Sequence, residues 1–136
     1  MTIAPGPEDE QAWQMALRHL AEADSMDLCR TPGAAIHAAY YAMHHAARAA
    51  LLRRDGERAP TTHNAVINRF GQIATAEASN EPRLPQIGHD LNVAYDQRID
   101  SDYNPRVQPT TAQAERCLNS ARSFLEVCAE HFGFRR

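Results

Sequence analysis

The chain has 136 residues, of which 43% are hydrophobic and 23% are charged, and its formal net charge is −3. This length predicts one domain with a buried core, and the ordinary composition excludes a wholly disordered chain. The negative charge argues against a general nucleic-acid coat, and three cysteines without a C-x-x-C pair argue against a disulfide scaffold or a zinc knuckle.

The N-terminal region differs in composition from the rest of the chain. Residues 1–10 are acidic and rich in proline, without the basic-then-apolar order of a signal peptide, and predict a flexible tail. A single domain is predicted over residues 11–133. Its first helix, Gln11–Leu28, carries an apolar stripe at three- and four-residue steps. Because no apolar run approaches the ~20 residues of a membrane helix, we expect a soluble cytoplasmic protein.

The second predicted helix, Pro32–Arg54, is rich in alanine. Thr31 suits the N-cap, and Pro32 suits the first helical position, where a missing N–H has no cost. Gly56 is predicted to end this helix. The small alanine side chains permit close contact between helices, and we expect them to favour a homodimer.

Three further helices are predicted, over about residues 62–73, 84–100 and 111–132. The last follows Thr110, which with Gln113 has the spacing of a capping box, and Gly133 is predicted to end it. No alternating apolar pattern predicts a strand. The sequence therefore predicts an all-α fold, an antiparallel up-and-down bundle of four to five helices.

A polar and aromatic stripe lies beside the apolar face of the second helix. His37, Tyr41, His44 and Arg48 fall within about 60° of one another on a helical projection. The stripe is interpreted either as a binding groove or as boundary side chains with apolar bodies and polar tips. We expect no metal and no cofactor here, because the position four residues after His37 is Tyr41 rather than a second ligand.

Arg98 lies on the apolar side of the fourth helix, with Leu91 and Tyr95. A charge removed from water needs a partner, and Asp102 stands four residues further on. One interpretation is that Arg98 binds a phosphate in a cleft between helices or subunits. The other is that Arg98 pairs with Asp102 and extends to solvent.

Three segments together resemble the small stand-alone HEPN-domain proteins of prokaryotes. They are Ala38–Leu52, with its tyrosine and histidine pairs, Thr62–Ile67 and Tyr95–Pro105. With the final helix, the resemblance extends over about residues 10–132. It implies an all-α bundle that often dimerises. Many such proteins are metal-independent endoribonucleases, often toxins, and are frequently encoded beside a small nucleotidyltransferase.

The resemblance also implies an active site in which four to six residues separate an arginine from the histidine that follows it. Arg98 holds the matching position, but Tyr103, Asn104 and Pro105 stand where the histidine would be. A metal-free ribonuclease must move protons near neutral pH, and tyrosine, with an ordinary pKa of about 10, is a poor base there. Tyr103 remains a candidate proton donor, phosphate ligand or site of modification by a nucleotidyltransferase.

These observations favour a non-catalytic HEPN-like module of a toxin–antitoxin type of system that binds a nucleotide, RNA or a nucleotidyltransferase partner. The candidate ligand-binding residues are Tyr41, His44, Arg48, Tyr95, Arg98, Asp102 and Tyr103. The alternative is a metal-independent endoribonuclease with a composite site around Arg98, in which Tyr103, His44 or His45 replaces the missing histidine. A structural helical adaptor is the third interpretation.

Overall fold

The computed structural model describes residues 7–136, which fold into five α-helices and one short 3-10 segment. The α-helices are α1 (Glu8–Asp24), α2 (Pro32–Asp55), α3 (His63–Ala76), α4 (Leu84–Tyr103) and α5 (Thr111–Phe132), and the 3-10 segment is Gly56–Arg58. No strand occurs between residues 7 and 136. The predicted all-α bundle is confirmed.

Helix α2 forms the centre of the bundle and contacts each of the other four α-helices. All of its alanines except Ala34 are buried, because a methyl side chain lets neighbouring helices approach closely. Larger side chains from the surrounding helices fill the remaining space, among them Trp13, Phe70, Leu91 and Phe124, all 0% exposed. The buried alanines therefore contact neighbouring helices of the same chain, and the expectation of a homodimer stays a prediction.

The ends of α5 follow the local sequence. The Thr110 side chain accepts the Gln113 backbone N–H, and the Gln113 side chain accepts the Thr110 N–H, which completes the capping box. Gly133 ends the helix with φ 78°, in the left-handed region that favours glycine. The predictions for both ends of this helix are confirmed.

The connection between α1 and α2 differs from the prediction. Helix α1 ends at Asp24 rather than Leu28, and the Asp27 carboxylate accepts the N–H groups of the two residues that start at Cys29. This side chain stabilises a turn in place of further helix. Thr31 makes no N-cap hydrogen bond, since its hydroxyl donates to the Asp27 carbonyl instead.

The start of α1 is held by Arg53. Its Nε donates to Asp9 at 2.8 Å and its Nη2 to Glu10 at 2.7 Å. Residues 8–10 therefore belong to α1 rather than to the predicted tail, because carboxylates in a first helical turn gain both from this guanidinium and from the helix dipole. Residues 1–6 of the predicted tail lie outside the described residues.

Arg53→Met is expected to lower the free energy of unfolding by about 1.5 kcal/mol. The guanidinium also donates to the Phe132 carbonyl at 2.6 Å and lies 3.7 Å from the Phe134 ring centroid. The substitution therefore removes the contacts with all of these partners at once. Urea unfolding measures the change. Arg122→Met, which removes an exposed pair with Asp24, is the control, and an equal loss in both variants would contradict the argument.

Candidate functional site

Arg98 is buried in the last turns of α4, with only 7% of its surface exposed. Its Nη2 donates to the Tyr41 hydroxyl at 2.8 Å. Its Nε lies 3.6 Å from Oδ2 of Asp102, within ion-pair distance, and makes no hydrogen bond. The guanidinium is therefore held by one neutral hydrogen bond and one long ion pair. The guanidinium does not extend to solvent, which disagrees with the second interpretation of Arg98.

Three tyrosine rings surround this guanidinium. The ring centroids of Tyr40, Tyr41 and Tyr103 lie 5.6, 5.3 and 5.9 Å from its central carbon. An arginine near aromatic faces is stabilised by the negative potential of those faces. Tyr40 is fully buried, whereas Tyr103 is 71% exposed and borders solvent.

His63 enters the same cluster from α3. This helix begins at His63 because the preceding Thr62 caps it through its side chain. The imidazole Nδ1 lies 2.5 Å from the Tyr40 hydroxyl. Its ring stacks on His44, with centroids 4.3 Å apart, and lies 5.9 Å from the ring of Tyr95. Helices α2, α3 and α4 thus meet at one aromatic and imidazole cluster.

The electrostatics of this cluster favour positive charge on arginine and neutral imidazoles. Burial, with the nearby charges of His63, His45, Arg48 and Arg98, lowers the pKa of His44 to about 3. Burial and neighbouring charges likewise lower the pKa of His45 to about 4, and burial and Arg98 lower the pKa of His63. At neutral pH the imidazoles are therefore uncharged hydrogen-bonding groups beside a guanidinium whose one carboxylate partner within 4 Å, among the described residues, is Asp102 at 3.6 Å.

Six of the seven predicted ligand-binding residues meet in this cluster, and one does not. We define the Arg98 site as Arg98 with Tyr40, Tyr41, His44, His63, Tyr95, Asp102 and Tyr103. Arg48 lies one turn beyond His44 along α2, beside a groove of about 210 Å³ that includes Glu8 and His45. The charge of Arg48 acts on the cluster, where it helps to lower the pKa of His44.

The structure adds two residues to the predicted set and also places His37, which the predicted stripe already included. Tyr40 and His63 belong to the Arg98 site, and His37 borders it, with Nδ1 3.1 Å from Oδ2 of Asp102 and its ring 4.7 Å from that of Tyr41. The sequence signal for Tyr40 was a hydroxyl on the apolar face of a helix, which needs a partner when buried. His63 lies in Thr62–Ile67, one of the three segments that resemble the family, but the sequence assigned it no role.

Residues 7–136 contain neither a cluster of metal-binding side chains nor a helix that could span a membrane. Over this part of the chain, no three or more His, Cys, Asp or Glu side chains are grouped in a way that could hold a metal ion. Among the described helices, none combines the length and apolar character needed to cross a membrane.

Comparison with protein-family models finds a match to the model described as HEPN domain, over residues 10–131. The match spans all but the ends of the chain and includes every residue of the Arg98 site. A search of curated proteins finds no match.

Proposed function

The chain belongs to the HEPN domain family, and from this premise we propose that it is a non-catalytic module that binds RNA or nucleotides through a phosphate at the Arg98 site. One observation carries the proposal. Arg98 is 7% exposed, yet the one carboxylate within 4 Å of its guanidinium, among the described residues, stands 3.6 Å away without a hydrogen bond. Buried charges are normally paired and hydrogen-bonded, and a phosphate would supply that partner.

The chemistry around Arg98 supports phosphate and RNA over other anions. The planar guanidinium matches two phosphate oxygens at once, which a point charge cannot do. The exposed ring of Tyr103 stands beside it and offers a face on which a base can stack. Because the net charge of the whole chain is −3, such binding depends on this local site rather than on a basic surface.

Fluorescence anisotropy of a labelled single-stranded RNA in EDTA tests the proposal. We expect saturable binding that weakens with added salt and is displaced by inorganic pyrophosphate, while electrophoresis recovers the RNA intact. Absence of binding at low salt would contradict the proposal, as would binding that pyrophosphate does not displace.

A second candidate function is metal-independent endoribonuclease activity, and the position of His63 favours it. Neutral His63 lies in the Arg98 site, partly exposed, and replaces His44 or His45 as the group that could move a proton. Its test is incubation of labelled RNA with the protein in EDTA. Cleavage by the wild type that is lost in both His63→Asn and Arg98→Met would replace the non-catalytic proposal, and intact RNA would exclude the nuclease.

We also propose that two copies of the chain associate, and that a nucleotidyltransferase partner belongs to the same toxin–antitoxin type of system. The support is the family resemblance alone, since the alanines of α2 are used within the chain. Light scattering after size-exclusion chromatography should give twice the mass of 15.2 kDa at micromolar concentration. A monomer would contradict the first of these proposals.

A further inference from the structure

A cleft of about 540 Å³ opens beside the Arg98 site, between α1, the start of α2 and the end of α4. This volume lies within the range of small-molecule sites, about 300–1,000 Å³. We call it the α2–α4 cleft, and its polar lining comprises His19, Glu22, His37, Ser101 and Asp102.

The cleft is continuous with the Arg98 site through two shared contacts. Asp102 lines the cleft, and its Oδ2 lies 3.6 Å from Nε of Arg98. His37 also lines the cleft, and its ring lies 4.7 Å from the ring of Tyr41, whose hydroxyl accepts the Arg98 hydrogen bond. A nucleotide with its phosphate at Arg98 therefore has space for its base in the cleft.

Given the proposed function, on which this inference rests, we propose that the α2–α4 cleft binds the base of that nucleotide and selects guanine. Each nucleobase presents a different set of donors and acceptors on its Watson–Crick edge. Guanine alone has two adjacent donors there, N1–H and the N2 amino group. Adenine and cytosine have one donor beside an acceptor, and uracil has one donor between two acceptors.

The carboxylates of the cleft match the guanine edge. An ionised carboxylate only accepts hydrogen bonds, so two uncommitted carboxylate oxygens in the cleft can take one N–H donor each. Asp102 uses Oδ2 toward His37 and Arg98, and no hydrogen bond to a described residue involves its Oδ1. Glu22 directs Oε2 toward His19 at 3.4 Å, which leaves Oε1 for a ligand. Adenine, cytosine and uracil would each place an acceptor against a carboxylate oxygen.

The start of α2 complements the third group on this edge of guanine, the O6 acceptor. The first-turn N–H groups of Gly33 and Ala34 donate to no carbonyl among the described residues, and both residues line the cleft. These donors suit the O6 acceptor that neighbours N1–H in guanine. The imidazoles of His19 and His37 add flat faces on which a base can stack.

Calorimetric titration of the protein with 5′-GMP, 5′-AMP, 5′-CMP and 5′-UMP, and separately with inorganic pyrophosphate, tests the inference. We expect GMP to bind about tenfold more tightly than each of the other three, since a mismatched base leaves polar groups unpaired. Pyrophosphate lacks a base and reports the Arg98 site alone.

Two variants locate the preference for guanine. Glu22→Gln replaces an acceptor-only group by an amide and is expected to reduce the preference to less than about threefold. Ala34→Phe fills the cleft from an exposed position in the first turn of α2 and is expected to weaken GMP binding while pyrophosphate binding is retained. Glu126→Gln, an exposed change on α5, is the matched control and should behave as wild type.

The outcomes separate this inference from the proposed function. Equal affinities for the four nucleotides, or an unchanged preference in Glu22→Gln together with unchanged GMP binding by Ala34→Phe, would overturn guanine selection. In that case, pyrophosphate binding that Arg98→Met abolishes would still support the proposed function. Failure of every nucleotide and of pyrophosphate to bind would overturn both.

Discussion

Arg98→Met is expected to weaken RNA binding by at least about 30-fold, equivalent to about 2 kcal/mol. The methionine keeps the apolar stem of the side chain and removes the guanidinium that would contact a phosphate. No other arginine is part of the Arg98 site, so no neighbouring fork can replace it. Anisotropy titration against a labelled single-stranded RNA measures the loss.

The same variant should not lose stability. In the wild type, burial removes the guanidinium from water. One hydrogen bond to Tyr41 and an ion pair at 3.6 Å to Asp102 replace the lost hydration. Asp102 keeps Nδ1 of His37 at 3.1 Å and is partly exposed, so loss of the guanidinium does not leave a fully buried carboxylate without a partner. We therefore expect an unchanged or higher Tm, measured by circular dichroism.

The control for charge is Arg116→Met, which removes an exposed arginine from α5. It changes the net charge of the chain by the same amount, and we expect RNA affinity to fall less than about threefold. Equal losses in the two variants would mean that general electrostatic attraction, rather than the Arg98 site, binds the RNA.

Acidification from pH 7 to pH 5 is expected to lower the free energy of unfolding by about 2 kcal/mol through His44 alone. Burial and the charges of His63, His45, Arg48 and Arg98 lower the pKa of His44 from its ordinary value of 6.5 to about 3 in the folded chain. Between these two pH values the unfolded chain binds a proton that the folded chain does not. Stability therefore rises with pH across this window, and it is lost as the pH falls below 6.5.

His45 adds to this loss in the same direction, because its pKa is lowered to about 4. The lowered pKa values of Asp9, Asp55 and Glu77 act in more acidic solution, where unfolded carboxylates begin to bind protons. The interval between pH 5 and pH 6.5 therefore isolates the histidines.

Urea unfolding at pH 5 and pH 7 of the wild type and of His44→Phe measures the His44 contribution. Phenylalanine keeps a buried aromatic ring against His63 and cannot titrate. We expect the variant to lose about 2 kcal/mol less than the wild type over this interval. The same pH dependence in both proteins would contradict a buried neutral His44.

Much of the fold could be predicted because its signals are local. Apolar residues at three- and four-residue steps indicated the helices, Pro32 fits only the first turn of α2, and Thr110 with Gln113 fixed the start of α5. The end of α1 was missed because it depends on the Asp27 side chain, which hydrogen-bonds backbone N–H groups further along the chain. Helical periodicity does not report such a bond.

The candidate site could be predicted only where one helix determined it. Spacing placed Tyr95, Arg98 and Asp102 along α4, and periodicity placed Arg98 on the buried side. His63 follows Tyr40 by 23 residues in the sequence. Its position beside Tyr40 depends on how α3 packs against α2. That packing is a tertiary property, and the arginine-to-histidine spacing of the family motif concerns residues further along α4 only.

The bonds of Arg53 have a further consequence for engineering the chain. Because Arg53 contacts both Asp9 and the Phe132 carbonyl, the start of α1 and the end of α5 lie side by side. The helical rise along α2 places this junction roughly 18 Å from Tyr41. A fluorescent protein or affinity tag fused beyond either helix would leave the Arg98 site open, and a short linker between the two would suit a circularly permuted chain.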